Sequence, residues 1–457
     1  MTNDTPAPRP WRRRALSLAF ATLSALLTLA GTRAHAQQAL SGPERRMRDD
    51  VVGRREEQIA FLQKVVDIPS GSLNVAGVRR VGDAFRQALD SLGFQTRWVE
   101  MPQGMGRAGH LVAEHRGKPG RTRMLLIGHL DTVFEGEGQQ FVREDTIARG
   151  AGSGDMKGGD VIILYALKAL ASAGALKDAN VTVVLTGDEE SPGDPLDVAR
   201  RDLVEAAKRS DVALAFEGGS DTTATVGRRG ASEWRVTVTG KQGHSAGVFG
   251  DSAGFGAIYE LARILDAFRS QLAGEQYLTF NPGVVVGGTT VAFDTLRLSG
   301  TAAGKTNIIA PSAVASGDLR FLSEEQKERA RARMREIVAA SLPGTSAEIT
   351  FADGYPAMTP TPGNARLLAV YDSASRALGY PGVKALDPGR RGAGDVSFVA
   401  PYIDGLDGLG ALGGGSHSPR EHVDLPALTR QTQRAAVLIY RLSRQKPPVR
   451  RMTSEEE

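Results

Sequence analysis

The sequence predicts an α/β protein, a doubly wound sheet interrupted by a smaller α+β insertion, and three observations carry that reading. Short apolar runs at 124–127, 181–186 and 211–216 have the length and composition of strands. Strand, loop and helix alternate through Glu217, the order in which a sheet covered on both faces is built. Near Arg229 that alternation stops, and it resumes only from about Ala347. At 457 residues the chain is too long for one ordinary domain and divides into two. Residues 43–228 and 345–444 make up a discontinuous main domain. Residues 229–344 form a satellite of two helices on a four-stranded antiparallel sheet.

The elements follow in order. Arg12, Arg13 and Arg14 precede an apolar stretch at 15–30 and then Ala34-His35-Ala36. A basic segment, an apolar segment and a small-x-small site make residues 1–36 a secretory signal peptide, with the paired arginines permitting the twin-arginine route. The apolar stretch falls short of the ~20 residues a membrane span needs. A periplasmic protein is expected, or a secreted one. Residues 43–66 read as a long charged helix, and 74–92 as an amphipathic helix stopped by Gly93. Residues 158–173 form a helix whose apolar face packs on the sheet. In the satellite, 233–239 alternates as a half-exposed strand, 252–272 is helical, 283–293 and 314–321 are strands, and 323–341 is a charged helix. A helix at 364–378, a Gly-rich loop near Gly392 and a closing helix at 428–443 complete the main domain. The tail 445–457, with Pro447-Pro448 and three final glutamates, is expected to be disordered.

Charge excludes some partners. Of 56 basic and 52 acidic residues, the first 36 positions hold five arginines and one aspartate, which leaves 51 of each sign beyond them. A neutral chain offers nothing to nucleic acid or to an anionic membrane surface, and no stable membrane association is expected once the signal is removed. The chain has no cysteine, so disulfides and thiolate metal ligands are both excluded.

Residues with metal-binding chemistry gather where the strand-like runs end. Gly128-His129-Leu130-Asp131-Thr132 closes the first run, Glu189 and Glu190 follow the second in Asp-Glu-Glu, and Glu217 follows the third. Asp155 lies in Gly-Ser-Gly-Asp-Met-Lys-Gly-Gly, and His417 in Gly-Gly-Ser-His-Ser-Pro. The carboxyl ends of strands in an open parallel sheet are where ligands collect. Two histidines with three of these carboxylates suit a borderline-hard divalent ion, zinc above all.

These motifs, each weak alone, occur together in the order found in the co-catalytic zinc aminoacylases and carboxypeptidases, the family of carboxypeptidase G, succinyl-diaminopimelate desuccinylase, acetylornithine deacetylase and peptidase T. The chain resembles that family from roughly Glu44 to Arg444, most of all its glutamate carboxypeptidase branch. The resemblance implies a zinc-peptidase domain with an inserted dimerisation domain, and two Zn2+ per chain, for which Co2+ or Mn2+ can substitute. His129 and Glu217 would hold one ion, Glu190 and His417 the other, and Asp155 would bridge them. Asp131 would orient the imidazole of His129 from behind. Glu189, free of metal, would act as general base and then as proton donor to the leaving amine. A non-catalytic binding protein on the same fold would be expected to lack a ligand or Glu189, and none is missing here.

The resemblance also implies a homodimer in which His244 reaches the partner's site, with the strand around Gly240 at an edge and the helix at 252–272 as contact surface. Asn307 and Arg320 match substrate contacts of the carboxypeptidase branch, Arg320 through its planar fork. Tyr355 stands where that branch carries an arginine for a terminal glutamate carboxylate, and it supplies no positive charge. Arg390 or Arg391 could take over that role. The expected reaction is hydrolysis of an amide or peptide bond next to a free carboxylate, in a small peptide or an N-acyl amino acid. A glutamate-type carboxypeptidase is the first reading, and a dipeptidase or deacylase the alternative. His110, His115 and His422 are read as structural or surface residues.

Overall fold

The computed structural model describes residues 39–136, 139–295 and 297–449. The expected signal segment lies outside the described residues, as do residues 450–457 of the expected tail. Among the described residues no helix is long and apolar enough to cross a membrane.

The charged run at 43–66 is two helices, α1 (Gly42–Gly53) and α2 (Arg55–Val66), because the backbone leaves helical geometry at Arg54. Ser41 and Glu44 close the start of α1 as a reciprocal capping box. Asn74 caps α3 (Val75–Ser91), which leads into β1 (Gln95–Val99), β2 (His110–His115) and β3 (Arg123–His129). After α4 (Lys157–Ser172) come β4 (Asn180–Thr186) and β5 (Val212–Ala215).

The insertion then runs through β6 (Gly230–Gly240), α5 (Ala257–Leu272), β7 (Thr279–Gly288), β8 (Ser312–Phe321), α6 (Glu324–Ala339) and β9 (Thr345–Asp353). The helix α5 starts later than expected because Gly254 and Gly256 take φ of 73° and 76°, outside the helical region. The expected strand 283–293 breaks after Gly288. Its second part, Thr290–Asp294, folds back on Ser299–Ala303 as a separate hairpin. The chain returns through α7 (Pro362–Ala377) and β10 (Asp404–Leu406) to α8 (Leu425–Ser443).

The main sheet has the order β1-β2-β4-β3-β5-β10. Its four strands from β4 to β10 are parallel, whereas β1 and β2 are antiparallel additions at one edge, so the sheet is mixed rather than wholly parallel. Both faces are covered. Met124 and Leu126 of β3 enter a core with residues of α4 and α8, while Leu125 and Ile127 enter a second core with Leu203 and Val396. Burial on both sides explains why this strand reads as an unbroken apolar run.

The second sheet has the order β7-β8-β6-β9, antiparallel throughout. Trp234, Val236 and Val238 of β6 pack on Ile264 and Phe268 of α5 and on Met334 and Ile337 of α6. Two expectations are corrected here. The stretch 345–353, assigned to the main domain, is the fourth strand of this sheet, with Ala347, Ile349 and Phe351 packed on its core. Because β9 covers β6, the strand that ends at Gly240 is internal, and the edges are β7 and β9.

Candidate metal centre

Three of the expected ligands come from the carboxyl edge of the main sheet, and the other two from a turn and a loop that meet them there. His129 is the last residue of β3, Glu189 and Glu190 lie just beyond β4, and Glu217 is two residues beyond β5. Asp155 sits in the turn before α4. His417 comes from the loop before α8, with a left-handed φ of 60° that non-glycine residues seldom adopt. Gly128 has no room for a side chain, since a Cβ there would fall 1.9 Å from Asp160 Oδ1. The motif glycine before His129 therefore lets β3 pass close over α4.

Asp155 joins two groups. Its Oδ1 lies 3.4 Å from His129 Nε2, which is itself 3.8 Å from Glu217 Oε1. Its Oδ2 lies 3.2 Å from His417 Nε2, which is 3.2 Å from Glu190 Oε2. Within each triad the candidate ligand atoms all lie within 4.8 Å of one another. His129 and Asp131 are buried, whereas His417 stands at the exposed rim.

The electrostatics call for cations. Burial, with neighbouring carboxylates adding to it, pushes Glu190 and Glu217 up to about 7. Glu189 is held well above its ordinary range, first by burial and then by the charges of Glu217, Asp395 and Glu190. Burial opposes charge on His129, but the Asp131 and Asp155 carboxylates outweigh it and raise the imidazole. His129 Nε2 and Glu190 Oε1 are buried with no hydrogen-bond partner. Buried polar atoms are rarely left so, and a divalent ion in each triad would satisfy both atoms and relieve the repulsion. The donor set, imidazole and carboxylate without thiolate, fits such an ion.

Asp131 does more than the sequence suggested. His129 Nδ1 lies 3.1 Å from its main-chain oxygen and 3.3 Å from its Oδ1, which directs Nε2 at the ligand cluster. The same carboxylate accepts the N–H of Glu189 and the N–H of Glu190, both at 3.0 Å, and the hydroxyl of Ser72 at 2.6 Å. Glu421, four residues after His417, was not singled out in the sequence. Its Oε1 accepts the N–H groups of Gly154 at 2.9 Å and Asp155 at 3.0 Å, fixing the turn that carries Asp155. A carboxylate so close after the last candidate ligand, His417, was the one available signal.

The other expected site residues lie apart from the cluster. His244 is exposed and neighbours Asn307, whose main-chain oxygen accepts the N–H of Ser245 at 2.9 Å. Arg320 is paired with Asp318 at 2.9 Å on β8. Among the described residues no hydrogen bond or ion pair joins His244, Asn307 or Arg320 to the two triads. Tyr355 is close to the site, but its hydroxyl donates to the main-chain oxygen of Glu189 at 2.8 Å. His110, His115 and His422 each bond main-chain groups away from the cluster.

A polar cavity of about 340 Å³ is walled by Gly218, the residue after Glu217, and by Ser220, Thr222, Thr225, Arg390 and Arg391. Arg391 donates to the oxygen of Gly218 and, at 3.2 Å, to the hydroxyl of Thr225. The guanidinium of Arg390 has no partner among the described residues.

A mixed α/β sheet with paired histidine–carboxylate triads at its carboxyl edge, and one aspartate common to both, defines a metallopeptidase or amidohydrolase. Comparison with known proteins narrows the class. Residues 125–441 match Peptidase family M20/M25/M40, and the chain belongs to that family. It is 28% identical over 396 residues to carboxypeptidase G2 of Pseudomonas sp. (strain RS-16), across 83% of this chain and 88% of that protein. Over 275 residues it is 32% identical to a succinyl-diaminopimelate desuccinylase of Acidiphilium cryptum (strain JF-5), across 58% of this chain and 68% of that protein. The structure superposes on an aminopeptidase of Bacillus cereus with a TM-score of 0.69 at 18% identity, covering 85% of this chain and 99% of the other. A dinuclear metal binding peptidase of Bacillus subtilis gives a TM-score of 0.58 at 15% identity, covering 86% and 98%. At those identities the structural likeness establishes the fold.

Proposed function

We propose that the chain is an exported dizinc hydrolase that cleaves an amide or peptide bond next to a free carboxylate, with a glutamate-type carboxypeptidase as the first reading. The observation that carries it is the division of Asp155 between two triads, with Glu189, the residue before Glu190, near enough to interact with the charges of His129, Glu217 and Glu190. His129, Asp155 and Glu217 would hold one ion, and Asp155, Glu190 and His417 the other. Bound ions of this kind supply a water of lowered pKa and a polarised carbonyl. Glu189 takes the proton of the attacking water and returns it to the leaving nitrogen.

The cavity that begins at Gly218 supports a substrate with a free carboxylate, since Arg390 and Arg391 offer planar donor forks amid hydroxyls. The hydroxyl of Tyr355, already given to Glu189, favours the second reading, a dipeptidase or N-acyl-amino-acid deacylase. Pairing of satellites is supported by exposed Phe249, Ile258, Tyr259 and Val285. His244 Nδ1 accepts the N–H of Ala246 at 3.2 Å, which leaves the proton on Nε2 as a donor for an oxyanion in a partner's site.

Chelation should abolish hydrolysis of dipeptides, folyl-glutamates and N-acyl amino acids, and zinc or cobalt should restore it. Activity that survives exhaustive chelation would sink the reading. Export predicts that protein recovered from the periplasm begins at residue 37, which intact mass would show.

A further inference from the structure

We propose that Tyr355, locked by Arg200, is a positioning residue for Glu189, a role that rests on the reading of Glu189 as general base. Tyr355 lies two residues beyond β9, on the second of the two crossings between the sheets. The crossings are bonded to one another: Arg228 and Met358 exchange N–H···O contacts of 3.0 Å, and the N–H of Ala231 donates to Tyr355 O at 2.8 Å. Backbone pairing thus holds the tyrosine in place independently of its side-chain contacts.

A phenol has one proton to give, and Tyr355 gives it to the Glu189 carbonyl at 2.8 Å. Its oxygen then accepts from Arg200 Nη2 at 3.0 Å, and its ring meets Phe398 edge-on at 4.9 Å. Arg200 is buried and all five of its donors are matched. Nε reaches Asp395 at 2.7 Å, and Nη1 reaches Asp188 Oδ1 at 2.7 Å and Ala199 O at 3.5 Å. Nη2 takes Asp188 O at 3.1 Å and the tyrosine. Asp395 in turn accepts the hydroxyl of Thr186, the last residue of β4, at 2.6 Å. A guanidinium so fully used cannot swing to clamp a substrate carboxylate, but it fixes the direction of the phenol.

Glu189 is therefore held from both sides of its main chain. Its N–H is bound by Asp131, which also orients His129, and its C=O by Tyr355. Where the side chain starts is set by these two bonds, one from the metal-site frame and one from the crossing between the sheets. Loss of the second would leave the carboxylate present but displaced.

The test compares Tyr355→Phe, which keeps the ring and removes the hydroxyl, with Phe398→Leu, which removes the ring contact and keeps the hydroxyl. Zinc-loaded enzyme is assayed on a dipeptide or N-acyl amino acid that the wild type cleaves, with metal content and Tm measured on each variant. Tyr355→Phe should lose about ten- to a hundredfold in kcat, the scale of a misplaced catalytic group, with KM within about twofold and metal content unchanged. Phe398→Leu should lower Tm with kcat close to wild type. If kcat falls with Tm alike in both, or stays at wild-type level in Tyr355→Phe, the proposal is overturned. KM and metal content near wild type in Tyr355→Phe, beside its lowered kcat, separate a displaced Glu189 from partial unfolding, so the answer does not hang on Tm alone. Undiminished turnover in Glu189→Gln would instead overturn the general-base reading itself.

Discussion

The carboxylate of Asp131 accepts the main-chain N–H of Glu189 at 3.0 Å, while the same residue faces Nδ1 of His129. The candidate ligand histidine and the candidate base thus share one support. Asp131→Ala should lower metal affinity about 10- to 100-fold, the usual consequence of losing such a partner behind a ligand. It should also depress kcat in enzyme resaturated with zinc, because Glu189 is released as well. Full recovery of kcat on resaturation would show that Asp131 serves His129 alone.

Glu189→Gln preserves side-chain volume and removes the proton acceptor. Turnover should fall by roughly 10²–10⁴-fold, the contribution of a positioned general base, with metal content equal to wild type. Elemental analysis beside steady-state kinetics decides it. Loss of metal in this variant would mean that Glu189 and Glu190 exchange roles.

Glu421 holds the turn of Asp155 by two N–H bonds. Glu421→Ala strands two amides, at a cost of about 1–3 kcal/mol for each buried group left unsatisfied. Tm should drop, and zinc titration should show weakened binding although no ligand has been touched. Unchanged zinc affinity would reduce Glu421 to a purely structural residue.

Arg390 and Arg391 line the cavity that begins at Gly218. Replacing both with alanine should raise KM for a substrate with a free carboxylate by about tenfold or more, as expected for loss of a charged hydrogen-bonded contact of 1.5–3 kcal/mol. The matching C-terminal amide should be cleaved as before. Equal effects on acid and amide would place the carboxylate elsewhere.

His244 is exposed in the single chain and joined to neither triad. Mixed Glu189→Gln and His244→Ala chains, each inactive alone, should regain activity on subunit exchange. One site of the mixed dimer would combine an intact Glu189 with a histidine from the other subunit. No recovery after verified exchange would confine His244 to its own chain or to no role.

The sequence by itself determined the chemistry and the kind of fold. Ligand motifs are short, and only a few residue types bind divalent ions without thiolates, so the pieces around His129, Asp155, Glu189-Glu190, Glu217 and His417 stand out as candidates, while the division of roles among them came from the family resemblance. The unbroken apolar run at Met124–Ile127 and the alternation along β6 likewise report burial on two faces and on one, because side chains on a strand point to opposite sides in turn. Tertiary structure decided the rest. That Asp155 is common to both histidines depends on where the ends of β3 and β5 and the loop before α8 come to rest. The assignment of β9 to the satellite sheet depends on its pairing with β6, more than a hundred residues earlier. Glu421 and Tyr355 act through main-chain groups 166 to 267 residues away. A carbonyl or an amide looks the same at every position, so a side chain that serves one leaves no mark in the sequence until the fold brings the two together.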